Sequence, residues 1–387
     1  MMKRYDAIVV GLGAAGSAAL YHLAKRGAKA IGIDRYMPPH DLGSSHGATR
    51  ITRLAIGEGV HYTPLVTRSH EIWREIERET GRDLLVQNGG LVISSDATRA
   101  KTHVSGFFDN TVGAAKKFGI AHELLDPAQI GRRFPQFRVH DDEKGYFESQ
   151  AGFVRPEECV AAELELARKR GAEIVTGDTM RAFEEMGDGV RVATDKGLYE
   201  GAKVILSVGA WLPQVVPPEI ARLFKIHRQV LYWFDVEDRA VYAPENFPIF
   251  IWEPRNAQQG IYGFPAIDET GFKIATEEYA VETTPQDINR DVTRSEIDAM
   301  YETHVAPNFT GVKCDCLRTA TCLYTVTPDA GFVIDSLPGS ERVILASPCS
   351  GHGFKHSAAI GEALAELALE GRSRHDLSAF RLDRFGA

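Results

Sequence analysis

Tyr5-Asp6-Ala7-Ile8-Val9-Val10-Gly11-Leu12-Gly13-Ala14-Ala15-Gly16 is the stretch on which the fold turns. An apolar run of strand-forming residues passes into G-x-G-x-x-G, and the Ala-rich segment that follows, through Lys25, reads as a helix. The three glycines serve different steric needs, namely a tight turn, close approach of a pyrophosphate, and close packing of helix on strand. The helix start offers free amides and the positive end of its dipole to phosphate oxygens. A second apolar run, Ala30-Ile31-Gly32-Ile33, ends on Asp34-Arg35, and Asp34 falls 23 residues after Gly11, where an acid binds a ribose hydroxyl. Strand, glycine turn, helix and strand predict a βαβ unit that binds a dinucleotide, with Gly11, Gly13, Gly16, Asp34 and Arg35 at the cofactor. The motif leaves FAD and NAD both open.

Outward from this unit, Thr63-Pro64 has an N-cap residue followed by proline at the first helical position, which predicts a helix running to Gly81. A second helix is expected over 156–170, stopped by Gly171. From Glu173 to Val208, short alternating segments broken by Gly187-Asp188-Gly189 and Asp195-Lys196-Gly197 predict an antiparallel meander that returns to the buried strand Val204-Ile205-Leu206. Residues 216–275 change character: Leu231-Tyr232-Trp233-Phe234 and Phe250-Ile251-Trp252 are aromatic and β-branched, as in an antiparallel sheet of a separate lobe. A helix is expected over 293–304, strands over 322–346, and a long helix from His356 to Gly371. The fold expected is α/β, with a Rossmann-type cofactor domain (1–90, 145–215 and 316–387) and an antiparallel-sheet substrate domain (91–144 and 216–315).

At 387 residues, 44% hydrophobic and 25% charged, the chain is long enough for two lobes with separate cores. A formal net charge of −9 opposes a broad nucleic-acid surface, which needs a basic stripe to release counterions. Met1-Met2-Lys3-Arg4 has the basic start of a signal peptide, but Asp6 and the patterned glycines oppose that reading. No run of about 18 apolar residues suits a membrane span. Cys159, Cys314, Cys316, Cys322 and Cys349 form no regular disulfide framework, and the C-x-C pair has no partner pair for zinc. A cytoplasmic enzyme without a metal is expected, a monomer or small homo-oligomer with no nucleic-acid or membrane partner.

The nature of the cofactor emerges downstream. The βαβαβ continuation of a simple NAD domain is missing; instead Val208-Gly209-Ala210-Trp211 and Ser350-Gly351-His352-Gly353-Phe354-Lys355 add two more glycine sites, which suits a long extended cofactor. Gly43-Ser44-Ser45-His46-Gly47-Ala48-Thr49-Arg50-Ile51-Thr52-Arg53, Met37-Pro38-Pro39-His40, Tyr262-Gly263-Phe264-Pro265, Thr321-Cys322-Leu323-Tyr324-Thr325 with Pro328-Asp329, and the 350–355 segment are spread across nearly the whole chain. In these stretches the sequence resembles the amine oxidases typified by monomeric sarcosine oxidase and N-methyltryptophan oxidase.

That resemblance implies FAD, linked covalently through a thioether to Cys322, and an oxidation of a carbon–nitrogen bond in a small amine bearing a carboxylate, with O2 as the second substrate. It implies further that Arg53 and Lys355 clamp the carboxylate, that Lys273 sits beside the flavin and promotes reaction with oxygen, and that His46, Arg50, Tyr262 and His352 line the flavin and substrate pocket. Ser44, Ser45, Arg50, Gly209, Ser350, Gly351, Gly353, Phe354 and Lys355 are the further cofactor-binding positions it implies. The physical case for the clamp is that a planar guanidinium grips a carboxylate bidentately while an ammonium adds a point charge. One departure stands out: four residues past Lys273, where sarcosine oxidase carries a pocket histidine, this chain has Glu277, placed here among the substrate-binding residues. An acid there changes the charge of the pocket and keeps another reading alive, a flavin oxidase or dehydrogenase of a cyclic, primary or D-amino acid.

Overall fold

The computed structural model describes residues 3–97, 104–255, 257–267 and 269–386. Met1 and Met2, at the start of the segment weighed as a signal peptide, lie outside them. The expected βαβ unit is the strand Arg4–Val10, the helix Ala14–Lys25 and the strand Ala30–Asp34, the strands running parallel from Ala7 opposite Ala30 to Val10 opposite Ile33. Residues Ala30–Asp34 are buried throughout, as a parallel strand covered on both faces requires. The helix is poor in large side chains because it packs against both Pro156–Lys169 and Ser357–Glu370.

Around this unit an eight-stranded sheet runs in the order Met180–Met186, Gly189–Thr194, Leu198–Leu206, Arg4–Val10, Ala30–Asp34, Glu173–Thr176, with Val343–Ser347 joining Leu198–Leu206 and Val333–Ser336 beyond it. The meander covers three of these strands, and its last lies parallel to Arg4–Val10. Glu173–Thr176 is not in the meander; it crosses over to lie parallel to Ala30–Asp34.

The second sheet also has eight strands, in the order Val312–Val326, Lys225–Val236, Phe272–Thr276, Ile261–Phe264, Ile249–Trp252, Gly90–Ser95, Glu143–Glu148, Glu123–Leu125. It is antiparallel except where Ile249–Trp252 lies parallel to Gly90–Ser95. Glu143–Glu148 and Val312–Val326 run across the divisions expected at 145 and 316, because a strand belongs to the ladder that satisfies its amides, wherever its side chains point. One face of this sheet packs Phe234, Phe250, Trp252, Phe272 and Ile274 into an aromatic core capped by Phe309. Since directly paired residues share a face, the registers Trp233 to Lys273, Tyr262 to Ala275 and Gln229 to Cys322 put Lys273, Tyr262, Cys322 and Tyr324 on the other.

Local corrections have local causes. A 3-10 turn, Val60–Tyr62, runs straight into the helix Thr63–Thr80, so Thr63 is already helical and its hydroxyl caps nothing; Gly81 ends the helix as expected, in the left-handed conformation. Gly209 begins a 3-10 turn, Gly209–Gln214. Over 293–304, Thr293 caps the α-helix Arg294–Met300, after which Tyr301–Val305 widens into a π turn.

Candidate active site

A long cavity runs between the glycine turns of the first sheet and the free face of the second. At its near end Gly11 has φ +87°, a conformation that disfavours any side chain, and a Cβ there would lie 2.5 Å from the Ser207 carbonyl oxygen. At Gly16 a Cβ would lie 1.8 Å from the Gly11 carbonyl oxygen, so this glycine is fixed by helix packing beneath the turn and does not reach the wall. Gly11 and Gly13 do line it. Asp34 braces the turn with both oxygens, accepting from Leu12 N and Tyr36 N at 2.7 Å each. Arg35 lies 5.3 Å from the Trp211 ring, and both line the cavity with Gly209. Ser45 Oγ accepts from Ala14 N at 3.1 Å, and the Ser44 hydroxyl donates to the Leu323 carbonyl, tying the loop after Asp34 to both halves of the cleft.

Further along, Arg50 lines the cavity while its guanidinium donates to the carbonyls of Thr49 and Ser44, both at 2.9 Å. Lys273 sits under the 47–49 turn: Nζ donates to Gly47 O (2.7 Å), Thr49 O (2.9 Å) and Thr49 Oγ1 (3.1 Å), and lies 4.4 Å from the Phe264 ring centre. Burial, reinforced by Arg50, drives its pKa well below the ordinary lysine value. Across the same turn Glu157 accepts from Gly47 N (2.6 Å) and Ala48 N (3.1 Å) and opposes that shift. His46 is buried, and desolvation together with Arg50 and Lys273 takes its pKa down to about 3, so its ring is neutral at physiological pH. Tyr262 and Tyr324 line the wall with their hydroxyls 3.2 Å apart.

The two expected clamp residues come together around a carboxylate that the chain itself supplies. Glu58, with 3% of its side chain exposed, lines the cavity; Oε1 lies 3.1 Å from Lys355 Nζ, and the other oxygen pairs with Arg53. Lys355 Nζ also donates to the His352 carbonyl at 2.7 Å, and His352 Nδ1 is 3.9 Å from Glu58 Oε1. Arg53 is stacked on Phe107 at 4.8 Å. Burial and the Arg53 charge pull Lys355 down to about 8 against the opposing pull of Glu58.

Gly351, His352, Gly353, Phe354, Lys355 and Glu277 all reach the wall. Arg53, His46, Lys273, Cys322 and Ser350 stand behind it; Ser350 Oγ is turned to the Gly331 carbonyl at 2.8 Å. Cys322 is buried, and burial raises its thiol pKa while Arg50 and Lys273 oppose the rise. The thiol that does line the cavity is Cys349, whose Sγ accepts from Thr325 N at 3.4 Å. Sequence reasoning missed Cys349, Glu157 and Glu58; the signal for the last was an acid between Gly57 and Gly59, five residues after Arg53. Among the described residues no group of three or more His, Cys, Asp or Glu could hold a metal, and no helix is long and apolar enough to cross a membrane.

A family model described as FAD dependent oxidoreductase matches residues 6–367. The chain is 40% identical to the monomeric sarcosine oxidase of Streptomyces avermitilis, with 100% of this chain and 99% of that protein covered. It is 33% identical to the N-methyl-L-tryptophan oxidase of Salmonella heidelberg, with 99% of each covered. Of solved structures, NikD, an unusual amino acid oxidase essential for nikkomycin biosynthesis, superposes with a TM-score of 0.84 at 23% identity, covering 98% of both chains. The L-proline dehydrogenase from P. horikoshii superposes with 0.80 at 20% identity, covering 100% of this chain and 99% of that one. At those identities the likeness is one of fold.

Proposed function

The chain belongs to the family of FAD dependent oxidoreductases, and from that premise we propose that it oxidises an N-methyl amino acid, a small secondary amine bearing a carboxylate. The balanced reaction takes the amine, O2 and water to the primary amino acid, formaldehyde and H2O2, by way of an imine that water splits. The observation that carries this reading is the pairing of Arg53 and Lys355 on the Glu58 carboxylate at the cavity wall. Two cations gathered about one carboxylate at the wall also direct positive charge at the substrate's acid group, which would share them with Glu58.

The cradle fits FAD. The turn is bare where a pyrophosphate would lie, since a Cβ at Gly11 would collide with the Ser207 backbone and one at Gly13 would crowd Ser45 Oγ at 3.3 Å; Asp34 would meet the ribose, and the 351–354 loop would offer backbone amides to the ring. Bound FAD would supply the two-electron acceptor and its return to the oxidised state by O2. The chain's own residues do the rest. Arg53 and Lys355 fix the substrate by its carboxylate, so the neighbouring C–N bond is held in one orientation. Arg50, Arg53 and Lys355 disfavour the protonated amine by like-charge repulsion, so its lone pair is free. Lys273, held behind the wall by the Gly47 and Thr49 carbonyls, would supply positive charge near a bound flavin for its reoxidation by oxygen. A thioether to Cys322 is part of the same proposal, supported by its place on the cavity-facing side of the sheet with Lys273 and Tyr262. Cytoplasmic action as a monomer or small homo-oligomer is the reading consistent with five free thiols.

A peroxide assay over N-methyl amino acids, cyclic imino acids and D-amino acids tests the reaction: turnover of the N-methyl compounds is expected, and turnover of free D-amino acids alone would overturn it. Acid precipitation tests the link, since yellow colour should stay with wild-type protein and leave the Cys322→Ala pellet.

A further inference from the structure

We propose that Glu163 is a positioning residue for the cofactor: its carboxyl, carrying its proton, holds the phosphate-binding turn through Ser17, and the turn loosens when that proton leaves. The inference is independent of which amine is oxidised, because it concerns only the dinucleotide end of the cavity.

Glu163 lies on the helix Pro156–Lys169, 1% exposed, where that helix packs against Ala14–Lys25. Val160, one turn earlier on the same helix, reaches the cavity wall, and so do Gly13 and Ala15 of the turn. Ser17, also buried, joins the two elements: its Oγ lies 2.7 Å from Glu163 Oε2 and 2.8 Å from the Gly13 carbonyl oxygen, which the Ser17 amide also reaches at 2.9 Å.

Three oxygens therefore stand in a row at hydrogen-bond spacing, and the number of protons between them decides their state. Ser17 has one hydroxyl hydrogen and the carbonyl has none. If Glu163 were ionised, one of the two contacts would set lone pair against lone pair. With a proton on Glu163 both contacts are satisfied, the carboxyl donating to Ser17 Oγ and Ser17 donating to Gly13 O. Burial favours the same form, raising the carboxyl to about 8 against a smaller opposing pull from Ser17, and no cation among the described residues offsets it. The surrounding titratable groups leave this balance alone. Cys159, one turn earlier, is a buried thiol held well above its ordinary pKa and so is neutral. Tyr21, His22 and Lys25 lie a turn or more beyond Ser17 on Ala14–Lys25. From Thr63–Thr80 comes Glu77, whose charge acts on Cys159 and whose Oε1 accepts from the Leu84 and Leu85 amides at 2.9 Å each.

Above about pH 8 the ionised carboxyl draws the Ser17 hydrogen to itself. Gly13 O then faces an oxygen lone pair, and a negative charge stands behind the helix end that receives phosphates. Both changes oppose the binding of FAD.

The folded chain holds this proton up to about pH 8 and the unfolded chain only to about 4.5, so the stability it brings is full below 4.5 and is lost as pH rises toward 8. Glu163→Gln keeps a donor for Ser17 and has no proton to lose. The Tm of the Glu163→Gln holoenzyme minus that of wild type should climb by roughly 2 °C per pH unit from about pH 5 to 8, then level. A difference that stays flat overturns the proposal, since an ionised or merely space-filling carboxyl gives no slope. Infrared spectra supply a measurement that needs no Glu163 variant: the carbonyl band of a protonated carboxyl should fade as pH passes about 8 and should shift when Ser17→Ala removes its acceptor. If no such band responds to Ser17→Ala, the proposal falls. In Cys322→Ala, where noncovalent contacts alone keep the flavin, release into buffer should quicken by up to tenfold per pH unit above about 8, and adding Glu163→Gln should flatten that profile. Release that ignores pH while the Tm slope is present would show a titrating carboxyl with no hold on the turn, and would overturn its role toward the cofactor.

Discussion

The two ends of the cavity are built on opposite principles. At the glycine turn the work is done by backbone: the bare turn itself forms the wall, and Asp34 is satisfied by Leu12 N and Tyr36 N, both within 22 residues of it in the chain. At the other end the work is done by buried charge: Arg53, Glu58 and Lys355 come from segments up to 302 residues apart, and each is tolerable only because the others are there. The difference teaches that the first end is vulnerable to volume and the second to charge. A substitution that adds one methyl group should destroy the first, while the second should survive changes of size and succumb to changes of sign.

The largest effect is expected from Gly16→Ala. Its Cβ would stand 1.8 Å from the Gly11 carbonyl oxygen, so helix and turn must part. Overpacking on this scale costs roughly 3 kcal/mol or more, enough to strip most of the flavin. The ratio of bound flavin to protein after purification measures it, and a fully loaded Gly16→Ala enzyme with an unchanged Tm would break the contrast.

Next comes Lys355→Met, which keeps length and apolar volume but removes the ammonium. Glu58 and an incoming carboxylate are then left to Arg53 alone. Truncating one partner of a buried charge pair costs about 2 to 5 kcal/mol, so kcat/KM for the amino acid substrate should fall about thirtyfold or more while flavin content holds. An amine that lacks a carboxylate should be nearly indifferent to the change. If the loss were the same for both, the clamp would not be where the geometry puts it.

How much of this was legible in the sequence follows the same division. The glycine turn, Asp34 and the helix stop at Gly81 could be read because each is dictated by local backbone geometry. The convergence of Arg53 and Lys355 was reachable only through resemblance, since nothing in either segment points to the other. Glu58 was missed because an acid between two glycines looks like a solvated loop; its meaning appears only when Lys355, 297 residues away, arrives beside it. The extent of Val312–Val326 was obscured for a related reason: the motif around Cys322 serves the cofactor, but the backbone beneath it pairs with Lys225–Val236. Cys349 stayed hidden because its loop was read for its glycines, and the wall position of a thiol depends on which way that loop folds back over Thr325.

The smallest effect is the one that separates the two cations of the clamp. Lys355 is held near 8 by burial and by Arg53, so it carries its charge below that pH and loses it above; the guanidinium of Arg53 stays charged throughout. Raising the pH through about 8 therefore removes one of the two positive charges without touching the structure. A substrate is the wrong probe, because losing the proton from its own amine improves the reaction over the same range and masks the loss. An unreactive carboxylate without an amine avoids this. Its Kd, read from the flavin spectrum, should be flat below about pH 7.5 and weaken by up to tenfold per pH unit above about 8, levelling once Arg53 acts alone. A bound anion favours the ammonium, so the break belongs to the free enzyme and the complex should take up a proton as it forms. Lys355→Arg should flatten the profile, because a guanidinium does not titrate in this range. A wild-type profile without a break near 8, or one that tightens with rising pH, would mean that the lysine charge plays no part in holding the acid.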